Sequence, residues 1–179
     1  MAHEILNEEI IFHGKVFDLA KVRFRLPNGK EPVFDLVKHH GAVTIVPVDT
    51  QGRIWFVRQY RVGAQQSLLE IPAGLLETDE SPELSANREL QEEIGMFAGK
   101  LQKLGEFYMV PGYSTEKMYA FLASEMHAAE LPTDEDELIE RVALPVQQVY
   151  EMVRSGEFMD GKTLASLLLA QPYLSQMGF

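Results

Sequence analysis

The chain has no cysteine among its 179 residues. Disulfide scaffolds, thiolate metal sites and cysteine nucleophiles are thereby excluded, although the absence says little about compartment. Positive charge is also scarce: 16 Lys and Arg stand against 27 Asp and Glu, a net charge of −11. General nucleic-acid binding relies on basic surface to neutralise phosphates, so no nucleic-acid partner is expected. A bound cation can still invert the local field and let an acidic protein act on a small phosphorylated ligand. No apolar run approaches the roughly 18 residues that a membrane helix needs, so no membrane partner is expected either. The N-terminus, Met-Ala-His-Glu-Ile-Leu-Asn-Glu-Glu, is acidic where a secretory signal is basic and then apolar, which points to a cytoplasmic protein. What remains is ordinary globular composition, 46% apolar and 24% charged, in a length that fits one domain with a small appendage.

Residues 9–13, 17–26 and 33–38 carry β-branched and aromatic side chains, and Pro27-Asn28-Gly29-Lys30 is a hairpin turn signal. This N-terminal β arm, residues 1–40, must pack on something: the main body, 41–179, or a second subunit. Strands are predicted at 42–48 and 54–60, the first apolar throughout and so covered on both faces. A short strand at 68–71 is broken by Pro72-Ala73-Gly74. Ser81-Pro82 opens a helix whose apolar stripe is Ala86, Leu90 and Ile94, and Gly95 ends it. Strands at 103–109 and 117–123 flank the loop 110–115, and an acidic loop, 132–137, precedes a strand at 138–144. Helices at about 146–155 and 161–176 finish the chain. That order predicts an α/β/α sandwich with a mixed sheet.

The helix after Ser81 has an anomaly. Glu89, Glu92 and Glu93 stand at i, i+3 and i+4, on one face and near the negative end of the helix dipole. Each like-charge pair costs a few tenths of a kcal/mol, and the dipole adds a similar penalty. A divalent cation is the simplest compensation, and clustered carboxylates suit Mg²⁺ or Mn²⁺. A merely solvated acidic face is the plain alternative, and the surrounding residues weigh against it. Gly74, Glu80, Arg88, Glu89, Leu90, Glu92, Glu93, Gly95 and Met96 fill every defined position of a pattern that resembles the Nudix box. The resemblance implies Glu89 and Glu93 as main metal ligands, Glu92 as an additional one, and the Ala73 carbonyl completing the set. It also implies that Arg88 orients the glutamates and that Glu80 holds the loop to the helix. An acid favoured by the dipole explains Glu80 equally well.

Three features outside the box narrow the substrate. Val57-Arg58-Gln59-Tyr60-Arg61 and Leu69-Glu70-Ile71-Pro72-Ala73-Gly74 are similar to the ADP-ribose and nucleotide-sugar branch, which implies Arg61 on the diphosphate and Glu70 in the substrate site. Pro111, fifteen residues beyond Met96, resembles the proline of ADP-ribose pyrophosphatases, and Glu116 follows it as a candidate contact. Asp160-Gly161-Lys162 resembles the Asp-x-Lys of nucleoside diphosphate sugar hydrolases, which implies Asp160 and Lys162 as substrate-binding residues, although Asp160 as a helix cap and Lys162 as a solvated cation are the bland readings.

The reaction implied is Mg²⁺-dependent hydrolysis of a nucleoside diphosphate sugar to a nucleoside monophosphate and a sugar phosphate. A dedicated ADP-ribose pyrophosphatase is the alternative. The acidic loop resembles one that supplies the general base, with Glu135 aligning best and Glu137 next. A non-catalytic nucleotide-sugar sensor is disfavoured by the complete box and the lack of a basic helix-turn-helix pattern. The branch also implies a homodimer whose arms cross, with Phe17 or a nearby aromatic stacking on the base.

Overall fold

A computed structural model describes residues 3–132 and 138–179. The chain divides into two compact units: Met1–Gly41 with Phe107–Lys117, and Ala42–Glu106 with Met118–Phe179. The loop carrying Pro111 and Glu116 therefore groups with the N-terminal arm, not with residues 41–179.

The first unit is an antiparallel meander, β1 (Glu4–His13), β2 (Phe17–Arg25) and β3 (Val33–His39). Gly29, at φ +82°, makes the turn between β2 and β3 that the Pro-Asn-Gly signal called for. β1 starts five residues earlier than the apolar pattern indicates, because Glu4 pairs with Arg25 through both backbone and side chain. The segment Phe107–Lys117 is laced to β3. Val37 N–H donates to the Tyr113 carbonyl at 2.8 Å, Thr115 N–H to the Val37 carbonyl at 2.9 Å, and His39 N–H to the Thr115 hydroxyl at 2.8 Å. Three strands cover little, and Ile5, Phe12, Val33 and Phe34 stay exposed.

The second unit holds β4 (Ala42–Pro47), β5 (Arg53–Arg61), β6 (Gln66–Glu70), β7 (Ala73–Leu75), α1 (Pro82–Ile94), most of β8 (Met96–Tyr108) and β9 (Lys117–Ala128), β10 (Glu140–Pro145), α2 (Val146–Ser155) and α3 (Gly161–Gln176). One sheet runs β7-β4-β9-β8 and is mixed, since β4 is antiparallel to β7 and parallel to β9. A second runs β10-β5-β6, all antiparallel. β4 is buried at every residue, and its two faces feed two cores. Val43 and Ile45 pack with Ala86, Leu90 and Ile94 of α1; Val46 packs with Leu167, Ala170 and Leu174 of α3 and with Val146 and Val149 of α2. This is the α/β/α layering expected, and β4 is its spine.

Two strands differ from the sequence expectation. Residues 73–75 continue beyond Pro72 as β7 instead of ending the strand run, because Ala73 and Gly74 pair with Thr44 and Val43. β8 begins at Met96 rather than near 103, running through Gly99. A Cβ there would lie 3.0 Å from the Glu125 carbonyl, so this glycine marks a close strand approach rather than a break.

The sole tryptophan, Trp55, lies on β5 and donates its indole N–H to Asp49 at 3.2 Å. Asp49 also accepts from Gln51 N–H at 2.9 Å and Arg53 N–H at 3.0 Å, closing the β4–β5 turn. Burial pushes its carboxyl up, but these donors hold it below the usual carboxylate range. Among the described residues no helix is long and apolar enough to cross a membrane.

Candidate active site

α1 forms because Ser81 caps it, accepting from Leu84 N–H, while Pro82 occupies its first turn and Gly95 closes it at φ +71°. Its apolar stripe goes into the core, so the acidic residues between fall toward β7. Glu89 and Glu93 are themselves buried, at 8% and 3% exposure. Such burial is tolerable only with charged partners close by.

Arg88 is the principal one. It donates to Glu80 through Nε and Nη2 at 3.0 Å each, to Glu89 at 2.7 Å and to Glu92 at 2.9 Å. Nη2 also reaches the Leu75 carbonyl at 3.0 Å and Ser85 at 3.2 Å, tying the helix to the end of β7. The Glu80 bonds, opposed by burial, raise the affinity of this guanidinium for its proton, and Arg88 in turn holds the Glu80 carboxyl below its usual range. Glu80 thus joins the loop to the helix, beyond what a favourable dipole requires. Glu93 accepts from the Ala73 N–H at 3.1 Å. Gly74 lies against Glu89 so closely that a Cβ would fall 1.9 Å from its carboxylate.

The last turn of α1 holds no basic residue. Arg141 of β10 supplies that charge, donating to the Glu93 carbonyl at 2.9 Å and to Glu130 at 2.9 Å. Sequence reasoning missed it. The three glutamates announce that a cation is needed, but nothing local says that it comes from 48 residues away.

A second cluster joins residues the sequence treats separately. Arg61, at the end of β5, forms a fork on Glu70, at the end of β6, with bonds of 2.9 and 2.8 Å. Lys162 donates to Glu70 and, at 2.9 Å, to Asp160. Glu70 is 1% exposed. Burial alone pushes its carboxyl up; Arg61 and Lys162 overcome this and hold it below the usual range. The charges of Glu93 and Asp160 also act on Arg61, so the fork stands near the acidic face of α1. Asp160 caps α3, accepting from Thr163 N–H at 2.9 Å and from its hydroxyl at 2.6 Å. Thr163, a second residue missed, accepts in turn from Ile71 N–H at 3.0 Å.

Pro111 and Glu116 lie in the first unit, where Tyr113 and Ser114 N–H close the turn on the Val110 carbonyl and Glu116 N–H donates to the Ser114 hydroxyl at 3.1 Å. Glu135 and Glu137 lie outside the described residues.

The carboxylate face of α1 has the donors for a hard divalent cation: Glu89, Glu92, Glu93 and the carbonyl that follows the Ala73 N–H. Among the described residues no three acidic or imidazole side chains close into a cage. Mg²⁺ does not demand one, since it keeps several waters and binds through one or two carboxylates. The missing Cβ at Gly74 leaves room for the Glu89 carboxylate to lie against the backbone of β7, the strand of the Ala73 carbonyl. The residues fit the ion.

Residues 38–166 match the NUDIX domain, well over half of the chain. The chain belongs to the Nudix family. An ADP-ribose pyrophosphatase of Bacillus subtilis (strain 168) is 39% identical over 173 residues, covering 96% of this chain and 94% of that protein. A GDP-mannose pyrophosphatase of Yersinia pestis (strain Pestoides F) is 38% identical over 169 residues, 89% of this chain and 83% of that protein. In three dimensions the Nudix chain is similar to a crystal structure described as an ADP compounds hydrolase, with a TM-score of 0.87 and 28% identity over 99% of this chain and 97% of that one. This Nudix protein is an enzyme, a pyrophosphohydrolase.

Proposed function

We propose that the enzyme hydrolyses the diphosphate bond of nucleoside diphosphate sugars in a Mg²⁺-dependent reaction, releasing nucleoside monophosphate and sugar phosphate, with Mn²⁺ as a working substitute. The observation that carries this reading is the acidic face of α1, whose Glu93 is tied to the Ala73 N–H and whose Glu89 fills the space left by Gly74.

Glu89, Glu92, Glu93 and the Ala73 carbonyl hold the ion. Mg²⁺, when bound, supplies charge neutralisation at the diphosphate and a water of lowered pKa. Arg88 orients the glutamates and offsets their mutual repulsion, since it bonds Glu89 and Glu92 from the same nitrogen. Arg61 presents to the diphosphate the edge of its guanidinium that Glu70 does not take. Glu70 has both oxygens on cations, Oε1 on Arg61 Nε and Oε2 on Arg61 Nη2 and Lys162, so its part is to aim Arg61 rather than to touch substrate. Glu135, with Glu137 as the alternative, serves as the general base. Pro111 and Glu116 belong to the substrate contacts of this reading.

The arm, residues 1–40, serves for homodimerisation. Large apolar side chains such as Ile5, Phe12, Phe17 and Phe34 remain exposed on a meander too small to cover them, and Phe17 is available to stack on the base.

The second reading is a dedicated ADP-ribose pyrophosphatase, favoured by the relative at 39% identity. A panel of ADP-ribose, GDP-mannose, UDP-glucose and a CDP-sugar with Mg²⁺ separates the two: comparable kcat/KM across several sugars supports the broad class, and turnover of ADP-ribose alone supports the narrow one. Glu93→Gln is expected to abolish Mg²⁺-dependent turnover with an unchanged circular dichroism spectrum. Retained activity would overturn the metal assignment.

A further inference from the structure

We propose that the corner Asp160–Thr163 is a positioning brace for the bend Glu70–Ala73, with Thr163 as its central residue. This rests on the reading of Ala73 and Glu93 as metal-holding groups.

Four consecutive residues of the bend are each held by a different partner. The Glu70 carboxylate takes Arg61 and Lys162. Ile71 N–H donates to the Thr163 hydroxyl at 3.0 Å. The Pro72 carbonyl accepts from Ile45 N–H at 2.9 Å, and Ala73 N–H donates to Glu93 at 3.1 Å. Two of the four holds come from the first turn of α3. Hydrogen bonds therefore run from the cap of α3 through Thr163 to Ile71, and two residues further along the backbone Ala73 is bonded to Glu93.

The Thr163 hydroxyl is not needed to cap the helix. The cap uses the backbone N–H at that position, which any residue other than proline supplies. The side chain is fully buried, where a hydroxyl gains nothing over a methyl group unless both its bonds are made. Both are made: it donates to Asp160 at 2.6 Å and accepts from Ile71. Lys162 acts on the same bend, its side chain only 12% exposed and turned onto Glu70 and Asp160. The Asp-x-Lys pair thus faces inward, onto the segment that carries Arg61's partner and the Ala73 carbonyl. A metal site with exchangeable waters owes its geometry to such supporting contacts.

The test compares the full-length wild type with Thr163→Val, which keeps shape and loses both hydroxyl bonds, and Thr163→Ser, which keeps the bonds. Mn²⁺ affinity is measured without substrate by the electron paramagnetic resonance of the free ion; kcat and KM are measured for ADP-ribose. Thr163→Val is expected to weaken Mn²⁺ binding about 10-fold or more and to lower kcat more than it changes KM, while Thr163→Ser stays close to wild type. Unchanged Mn²⁺ affinity and kcat in Thr163→Val, with only a lower Tm, would overturn the brace. If Thr163→Val does not fold, Lys162→Met decides. Loss of a cation by itself tightens Mn²⁺ binding, whereas loss of a brace weakens it, so tighter or equal binding overturns the proposal. A wild type that binds no Mn²⁺ overturns the metal reading and the brace with it; a wild type that binds, with equal binding in the variants, overturns the brace alone.

Discussion

At Gly74 a single hydrogen atom decides how a carboxylate sits. Its φ is ordinary, so the requirement is for space: Glu89 lies where a Cβ would be. The obstructing atoms are the far end of a flexible side chain, so Gly74→Ala is expected to fold normally and to displace Glu89. Activity should fall about 10–100-fold with a higher Mg²⁺ requirement, read from Mg²⁺ titrations of kcat, while the melting curve barely moves. Glu70 makes the opposite case, a residue whose loss is felt in stability. Its carboxyl lies below 4.5 in the folded protein, so the unfolded chain takes up its proton more readily. The stability it contributes is complete above that value and is lost as pH falls through the folded-state pKa. Glu70→Gln should cost about 2–3 kcal/mol at neutral pH, somewhat below the usual cost of a broken buried pair because Arg61, 40% exposed, can regain water. Urea unfolding should also show a shallower fall in stability below pH 4.5 than in the wild type. The box residues are legible in the sequence because the signature lies within one contiguous segment, and Glu89, Glu92 and Glu93 at i, i+3 and i+4 share one face of α1. Glu70 with Lys162 is not: the sequence offers each only as a separate substrate contact, and a pair 92 residues apart leaves no local trace.

Among the elements, α1 carries an unusual load: three glutamates in its C-terminal half and no basic residue in its last turn. Arg141 offsets this from β10 by bonding the Glu93 carbonyl, an acceptor that the helix itself leaves open. Arg141→Met is therefore expected to destabilise the metal-free enzyme by about 1–2 kcal/mol. Saturating Mg²⁺ should narrow the gap from wild type, because the ion supplies positive charge at the same helix end; differential scanning calorimetry with and without Mg²⁺ checks both. Helices were the elements best read from sequence. Ser81, Pro82 and Gly95 bound α1, and α2 and α3 fall at the expected residues, because caps and breakers are local chemistry. Strands were read less well where pairing overrode local signals. β7 follows a proline and β8 passes through Gly99, and each is a strand because a neighbour across the sheet makes it one.

At the scale of the whole chain, two units differ in how they treat apolar surface. The second has two buried cores about β4, although Val62, Leu138 and Leu168 stay exposed; among the described residues the first buries only the small apolar side chains Ala20 and Val22 and leaves Ile5, Phe12 and Phe34 open to solvent. If a second copy covers that face, Phe12→Glu should convert a dimer to a monomer in sedimentation velocity without loss of secondary structure. A wild type that sediments as a monomer would remove dimerisation from the proposed function. The position of Trp55 has an optical consequence. The chain has one indole, it lies in the second unit, and its N–H rests on the carboxylate that closes the β4–β5 turn. Selective indole excitation therefore lights one unit and leaves the other dark. A refolding trace followed by tryptophan emission times the assembly of the hydrolase core, and the first unit has only the tyrosines Tyr108 and Tyr113, outside the arm, to offer in its place.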